Sequence, residues 1–399
     1  MSGDSHPDRW RALALLALAE LLGMSLWFAG TAVAPILQAR WSLDATEVGW
    51  LTAIVQLGFV LGTAAAAILN LADLVPSRYY VAASATLGAA ANAVLLARGS
   101  YALALVSRFL SGFFLAGVYP PAMKMAATWF RSRRGLAIGV IVGALTVGKA
   151  LPFLIKAFAW RDASPVIAMS SVFALAGAAI IATTYRDGPY PFVSRPFSWA
   201  LVQTVARVRP WRLATGSYLG HMFELYSFWT WIPAFLAASA AATGRAPNDS
   251  AMALTAFLVI AFGAAGCLWG GAAADRRGRE RVITIALAAS GSSALLIGVF
   301  FGLDFRVTAS IAAVWSFFVI ADSAQFSALV TESVPPHAVG TALTMQTCLG
   351  FLLTLLSIQL VPPVVARTGW AWSFAMLALG PVLGIMAIRR FAQFRRIAA

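Results

Sequence analysis

Apolar residues in this chain gather into long runs, separated by short charged or turn-rich breaks. Twelve runs can be traced, at approximately 11–38, 47–72, 78–97, 101–129, 135–157, 164–184, 211–239, 252–274, 281–302, 306–332, 338–362 and 370–391. Each is near the length a helix needs to cross a hydrocarbon layer of about 30 Å. Helices are required because backbone groups left unpaired in lipid are too costly, and no segment of about ten residues alternates as a barrel strand would. The pattern therefore predicts an all-α membrane protein of twelve transmembrane helices.

The longest break divides the runs six and six. It sets an N-terminal bundle over 1–184, a cytoplasmic linker over 185–210 and a C-terminal bundle over 211–399. Within the linker, Pro196 to Val208 reads either as an amphipathic helix on the membrane surface or as plain connecting chain. The halves also repeat. Glu20-Leu21-Leu22 is followed by Trp27, and Glu224-Leu225-Tyr226 by Trp231, while Asp73 closes the second run much as Asp275 closes the eighth. Such offsets of about half the chain are what parallel internal repeats of a transporter produce.

Composition agrees with the pattern. The chain is 60% hydrophobic and 11% charged, with a net charge of +14, whereas soluble domains carry roughly 25% charged residues. The basic residues sit in clusters between runs, as topology signals do, which argues against nucleic acid as a partner. By position, 19 Lys and Arg fall on one side, 7 on the other and three within runs. Both termini are therefore expected in the cytoplasm, with the chain a multi-pass protein of a bacterial inner membrane. Cys267 and Cys348 lie in apolar runs without metal spacing and read as small buried hydrophobes. The first run is too long for a signal peptide and is interrupted by Glu20, so no cleavable leader is expected. No nucleophile elbow, phosphate loop or metal spacing is present in the sequence. The expectation is a protein that is not an enzyme and needs no cofactor or metal, driven by a gradient instead of ATP and acting as a monomer.

One stretch concentrates charge. Asp275 to Arg281 holds six charges in seven residues. Gly271, Asp275, Arg276, Gly278, Arg279 and Arg281 match the loop motif G-x-x-x-D-R-x-G-R-x-x, Asp73 and Arg78 form a degenerate first-half copy, and Arg108-x-x-x-Gly112 is similar to a fourth-span motif. On these residues the whole chain resembles the major facilitator superfamily. The resemblance implies two pseudo-symmetric six-helix bundles working by alternating access. It also implies a latch in which Asp275 faces the helix start near Gly135 and Asp73 that near Gly340, favouring the outward-open state. A solvated loop obeying the topology rule is the alternative. A looser resemblance is to the nitrate/nitrite and cyanate-like branch around runs seven and ten. The full glycine-rich signatures in runs five and eleven, and the arginines of runs two and eight, are missing.

Charge inside a run is costly and marks a pathway or a proton relay. Glu20 lies about 14 Å, Glu224 about 18 Å and Asp322 about 15 Å from the cytoplasmic helix ends, near the midplane. Arg108 lies about 10 Å below its outer end and Lys149 about 21 Å above its inner end. Cations above a layer of acids suit an anionic substrate. Arg108 and Lys149 are thus read as substrate-binding residues, with Trp27, Tyr119, Tyr226, Trp231 and Gln325 on the same helix faces. Glu20, Glu224, Asp322 and His221 are read as proton-coupling residues, His221 and Glu224 being three apart and able to share a proton. The alternatives are a structural Glu20–Arg108 ion pair and aromatics that only pack. Two functions stand: a proton-coupled symporter for a small anion, and a proton-antiporting exporter of drugs or metabolites. The fifth run keeps the exporters' frame from Gly139 to Gly148 but lacks its proline and one glycine. A transporter-like receptor is a third class, disfavoured by the midplane acids.

Overall fold

The computed structural model describes residues 6–97, 99–130, 134–158, 162–190, 197–244 and 247–398, the side chains of 72, 73, 134 and 398 excepted. It forms two compact units, Met1–Phe197 and Ser198–Ala399. In the first unit the helices are α1 (Arg9–Met24), α2 (Ala29–Ala32), α3 (Ala34–Trp41), α4 (Ala45–Ile68), α5 (Leu71–Leu74), α6 (Ser77–Ala93), α7 (Tyr101–Leu115), α8 (Tyr119–Ala127), α9 (Arg134–Phe158) and α10 (Ser164–Thr184). In the second they are α11 (Trp199–Arg207), α12 (Arg209–Ala242), α13 (Asp249–Arg277), α14 (Arg279–Leu296), α15 (Phe305–Ala321), α16 (Ser323–Ser333), α17 (Val339–Thr368), α18 (Trp370–Ser373) and α19 (Leu379–Ala398).

Among the described residues, ten helical stretches are long and apolar enough to cross a membrane. The two other predicted runs have different reasons for falling outside that set. The first is helical only in pieces, with turns between α1 and α2 and Pro35 starting α3. The seventh, α12, is 34 residues long but carries His221, Glu224 and a series of Ser, Thr, Tyr and Trp that lower its hydropathy. Both are polar or broken where the sequence places candidate chemistry.

The other interruptions also have local causes. Pro120 and Pro121 cannot donate to the preceding turn, so the fourth run ends one helix at Leu115 and starts another at Tyr119. The tenth run is broken at Asp322, the joint between α15 and α16. Helix starts are capped where the sequence offers it. Asp44 and Glu47 exchange bonds of 2.8 and 2.9 Å at α4, and Asp304 accepts from the first turn of α15.

The units share a packing device. Where α4 meets α7, a Cβ on Gly58 or Gly112 would strike the facing backbone, and Gly266 and Gly270 do the same where α13 meets α15. Small residues let these backbones touch, as helices in lipid require when burial of apolar surface no longer drives association. The short α11 docks on the second unit. Val205 is buried, with Leu201 and Val208, against Trp211, Phe326 and Phe391. Helix α11 thus belongs to the second unit, and the boundary between units falls at 197/198.

Candidate functional site

Each unit buries its own cluster of ionisable groups. In the first, Glu20 projects from α1 and is 1% exposed. Among the described residues neither of its oxygens accepts a hydrogen bond. The charge acting on it is Lys149 of α9, likewise 1% exposed. The close approach is made possible by Gly148, where a Cβ would collide with the Leu21 carbonyl, so α9 lies directly on α1 beside Glu20. The Lys149 ammonium stands 3.9 Å above the centre of the Trp27 ring, and that ring packs 5.0 Å from Phe59. The ammonium thus rests on an aromatic face, near enough to Glu20 for its charge to act on the carboxylate but without a hydrogen bond to it.

Arg108 is placed differently from the sequence reading. Its guanidinium donates to Asn92 Oδ1 at 3.0 Å, to the Leu26 carbonyl at 2.9 Å and to the Trp27 carbonyl. Those carbonyls belong to the broken stretch of span one, where the Leu26 carbonyl also accepts a long 3.4 Å turn bond from the Ala29 N–H. Asn92 is held in turn by the Ile167 carbonyl and Ser171 on α10. No Glu20–Arg108 pair occurs among the described contacts, because Glu20 turns to α9 and Arg108 to the unwound backbone. Gly30 lets this happen, since a Cβ there would lie 3.0 Å from Arg108 Nε. The geometry favours a brace for the break in span one over a substrate ligand. Tyr119, the first residue of α8, is half-buried.

In the second unit Glu224 is fully buried and satisfied from within. It accepts from Ser290 Oγ at 2.8 Å on α14 and from Trp315 Nε1 at 2.7 Å on α15. Among the described contacts His221 does not meet it. Instead, His221 Nδ1 lies 2.9 Å from Asp322 Oδ1, and Nε2 lies 2.8 Å from Ser323 Oγ. The Asp322 contact is within ion-pair range but off the line of a hydrogen bond, so neither of its oxygens accepts one among the described residues. The correction has a physical cause. Residues three apart on α12 sit side by side, but the break at Asp322 swings a carboxylate toward the His221 ring while Glu224 turns to α14 and α15. Tyr218 stacks at 6.1 Å on His221, and Phe326 closes its other surroundings at 5.2 Å. Tyr226 packs on Trp229 and Phe351, and Trp231 donates to the Ile358 carbonyl at 2.9 Å. Gln325 is buried with its amide nitrogen unpartnered among the described residues.

The charged loop is ordered by its glycine and by ion pairs. Gly278 takes φ +84°, a conformation that favours glycine, at the joint of α13 and α14. Arg279 pairs with Glu332 at 3.1 Å, and Arg395 reaches Glu280 at 3.0 Å and Glu332 at 3.4 Å. Asp275, Arg276 and Arg281 are exposed. In the first-half copy, Arg78 donates to Tyr79 Oη at 3.0 Å and lies over that ring, while the Asp73 side chain is outside the described residues.

Sequence reasoning passed over Gln56. It is fully buried on α4, and neither amide atom has a partner among the described residues. Thr52, one turn before it, exchanges a 2.6 Å bond with Thr31, and Phe59, three residues on, packs on Trp27. Gln56 therefore shares the α4 face turned to the broken span one. A buried glutamine in an apolar run was the available signal.

Comparison with known families gives a single finding. A family model described as Major Facilitator Superfamily matches residues 15–358. No curated protein matches the chain.

Proposed function

We propose, given that the chain belongs to the Major Facilitator Superfamily and is a multi-pass secondary transporter, that it carries a small anion together with a proton. The twelve-span arrangement, with both termini in the cytoplasm and alternating access, belongs to the same proposal. The observation that carries it is the buried Glu20–Lys149–Trp27 cluster. With Glu20 ionised and Lys149 charged, the cluster is neutral. A proton on Glu20 gives the cluster a net positive charge, and an anion restores neutrality. An anion arriving without the proton would leave a net negative charge in a buried place. An uncompensated buried charge costs about 3–5 kcal/mol, so each partial state is disfavoured by roughly a hundredfold or more. Anion and proton therefore enter as a pair.

The remaining residues support that event. Gln56 offers a donor and an acceptor on the neighbouring face of α4, suited to an oxyanion that is partly protonated. Arg108 keeps the broken backbone of span one in place and so positions Trp27. In the second unit, His221 and Asp322 at the break of α15 and α16 serve as a second proton-accepting pair, with Glu224 holding α12 to α14 and α15. The Asp275–Arg281 loop acts as the latch. The exporter of cationic drugs is less favoured, since a cation would meet Lys149.

The test is flux in proteoliposomes carrying an imposed pH gradient and offered acetate, lactate, nitrate, phosphate and a cationic dye. Anions should drive proton entry and the dye should not. Glu20→Gln should retain anion exchange while losing accumulation driven by the proton gradient. Accumulation that survives in Glu20→Gln would refute the coupling role, and proton flux elicited only by the dye would refute the anion.

A further inference from the structure

The arginine-rich end of the second unit holds a separate feature. There α14 begins beside the last turns of α19, and an open groove of about 660 Å³ runs between them. Arg277, Arg281, Arg389, Arg395 and Arg396 line it, with Glu280 as its one carboxylate. Glu280 is taken by Arg395. Among the described residues, Arg277, Arg281, Arg389 and Arg396 have no carboxylate at ion-pair distance. Four uncompensated guanidinium groups around one hollow repel each other and draw in an anion with oxygen acceptors, for which the planar fork of arginine is suited.

What adjoins the groove selects the anion. Along α19, Leu379, Val382, Leu383 and Met386 are 56, 53, 52 and 47% exposed. Their spacing of three and four puts them on one helix face, and Arg389 and Arg390 continue that face by one turn. From Leu379 to Arg389 the helix rises about 15 Å, the depth of hydrocarbon in one leaflet of a layer about 30 Å thick. An apolar stripe of one leaflet's depth thus runs directly into the arginine groove. A soluble anion would meet the arginines alone, whereas the stripe already lies against acyl chains of the layer. A phospholipid uses both.

We propose that this groove is a binding site for the phosphate of an anionic phospholipid of the arginine-rich leaflet, its acyl chains lying along the α19 stripe. Lipid bound there would bridge the start of α14 and the end of α19, next to the Arg279–Glu332 and Arg395–Glu280 pairs.

Native mass spectrometry of the full chain in detergent, with phosphatidylglycerol or phosphatidylcholine added, tests it. The anionic lipid should be retained preferentially. The Arg389→Gln/Arg396→Gln double variant should lower that preference by roughly twenty-fivefold, at about a factor of five per arginine. Arg389→Lys/Arg396→Lys should keep part of it, and Arg306→Gln, near the opposite end of the bundle, should not change it. Should the Gln pair fold poorly, phenylglyoxal labelling of the unaltered protein gives an independent readout. Arg281, Arg389 and Arg396 should be protected by phosphatidylglycerol and not by phosphatidylcholine or inorganic phosphate. Equal retention of the two lipids, unchanged preference in a folded Gln pair, or equal protection by inorganic phosphate would overturn the proposal, the last by making a soluble anion the occupant.

Discussion

Removing Lys149 tests how Glu20 is tolerated. Both side chains are 1% exposed, and the carboxylate has no hydrogen-bond donor among the described residues. Lys149→Ala therefore leaves Glu20 either charged without compensation or obliged to take a proton, and it also removes the ammonium from the Trp27 ring. Leaving a buried charge without compensation costs about 3–5 kcal/mol. Glu20→Gln alone removes the nearby negative charge from the ammonium and should cost a similar amount. The double variant Glu20→Gln/Lys149→Ala removes both charges and with them the desolvation they impose, so it should be no less stable than either single one. The expected coupling is about 3 kcal/mol, with the double variant more stable than the sum of the singles predicts. The assay is unfolding of the four proteins purified in one detergent, by denaturant titration or calibrated thermal shift. If the two effects add within about 0.5 kcal/mol, the groups do not act on each other. The pairing and the coupling scheme built on it would then fail together.

Three further outcomes follow from the same geometry. Arg108→Lys cannot reach Asn92 and both carbonyls of span one at once, and should cost about 2–4 kcal/mol. If Arg108 is a brace, turnover should fall while apparent substrate affinity holds, and a large loss of affinity alone would return it to the substrate. Trp315→Phe removes one of the two donors to Glu224, and should destabilise the second unit by about 1–3 kcal/mol in the same unfolding assay. Tyr185, just beyond α10, has its phenol pushed by burial from 10.0 up to about 12, partly opposed by bonding to Thr128 and Trp129. A folded value above the unfolded one means stability that is complete below pH 10 and lost as pH rises through 12. Absorbance titration of Tyr185→Phe should show one fewer phenol ionising near pH 12.

Much of the architecture was legible in the chain because its causes are local. Hydrocarbon thickness sets the length of the apolar runs and the cost of charge in lipid gathers most arginines in the breaks, and ten of the runs are long apolar helices among the described residues. Glu20, Lys149, His221, Glu224 and Asp322 stood out for the same reason. Pro120-Pro121 and Gly278 likewise announce their joints without help from distant residues, whereas Pro362-Pro363 sits inside the continuous α17.

What the sequence alone left open is which buried groups meet. Glu20 is acted on by the charge of Lys149 and not by that of Arg108, because Gly148 brings α9 onto α1 while the carbonyls of Leu26 and Trp27 claim the guanidinium. His221 meets Asp322 and not Glu224, because the break between α15 and α16 turns one carboxylate to the ring while Ser290 and Trp315 hold the other. Helical spacing orders side chains along one face of one helix. Partners across helices depend on the rotation of each helix, on backbone closeness and on where the helices break, and those are settled only when the helices pack.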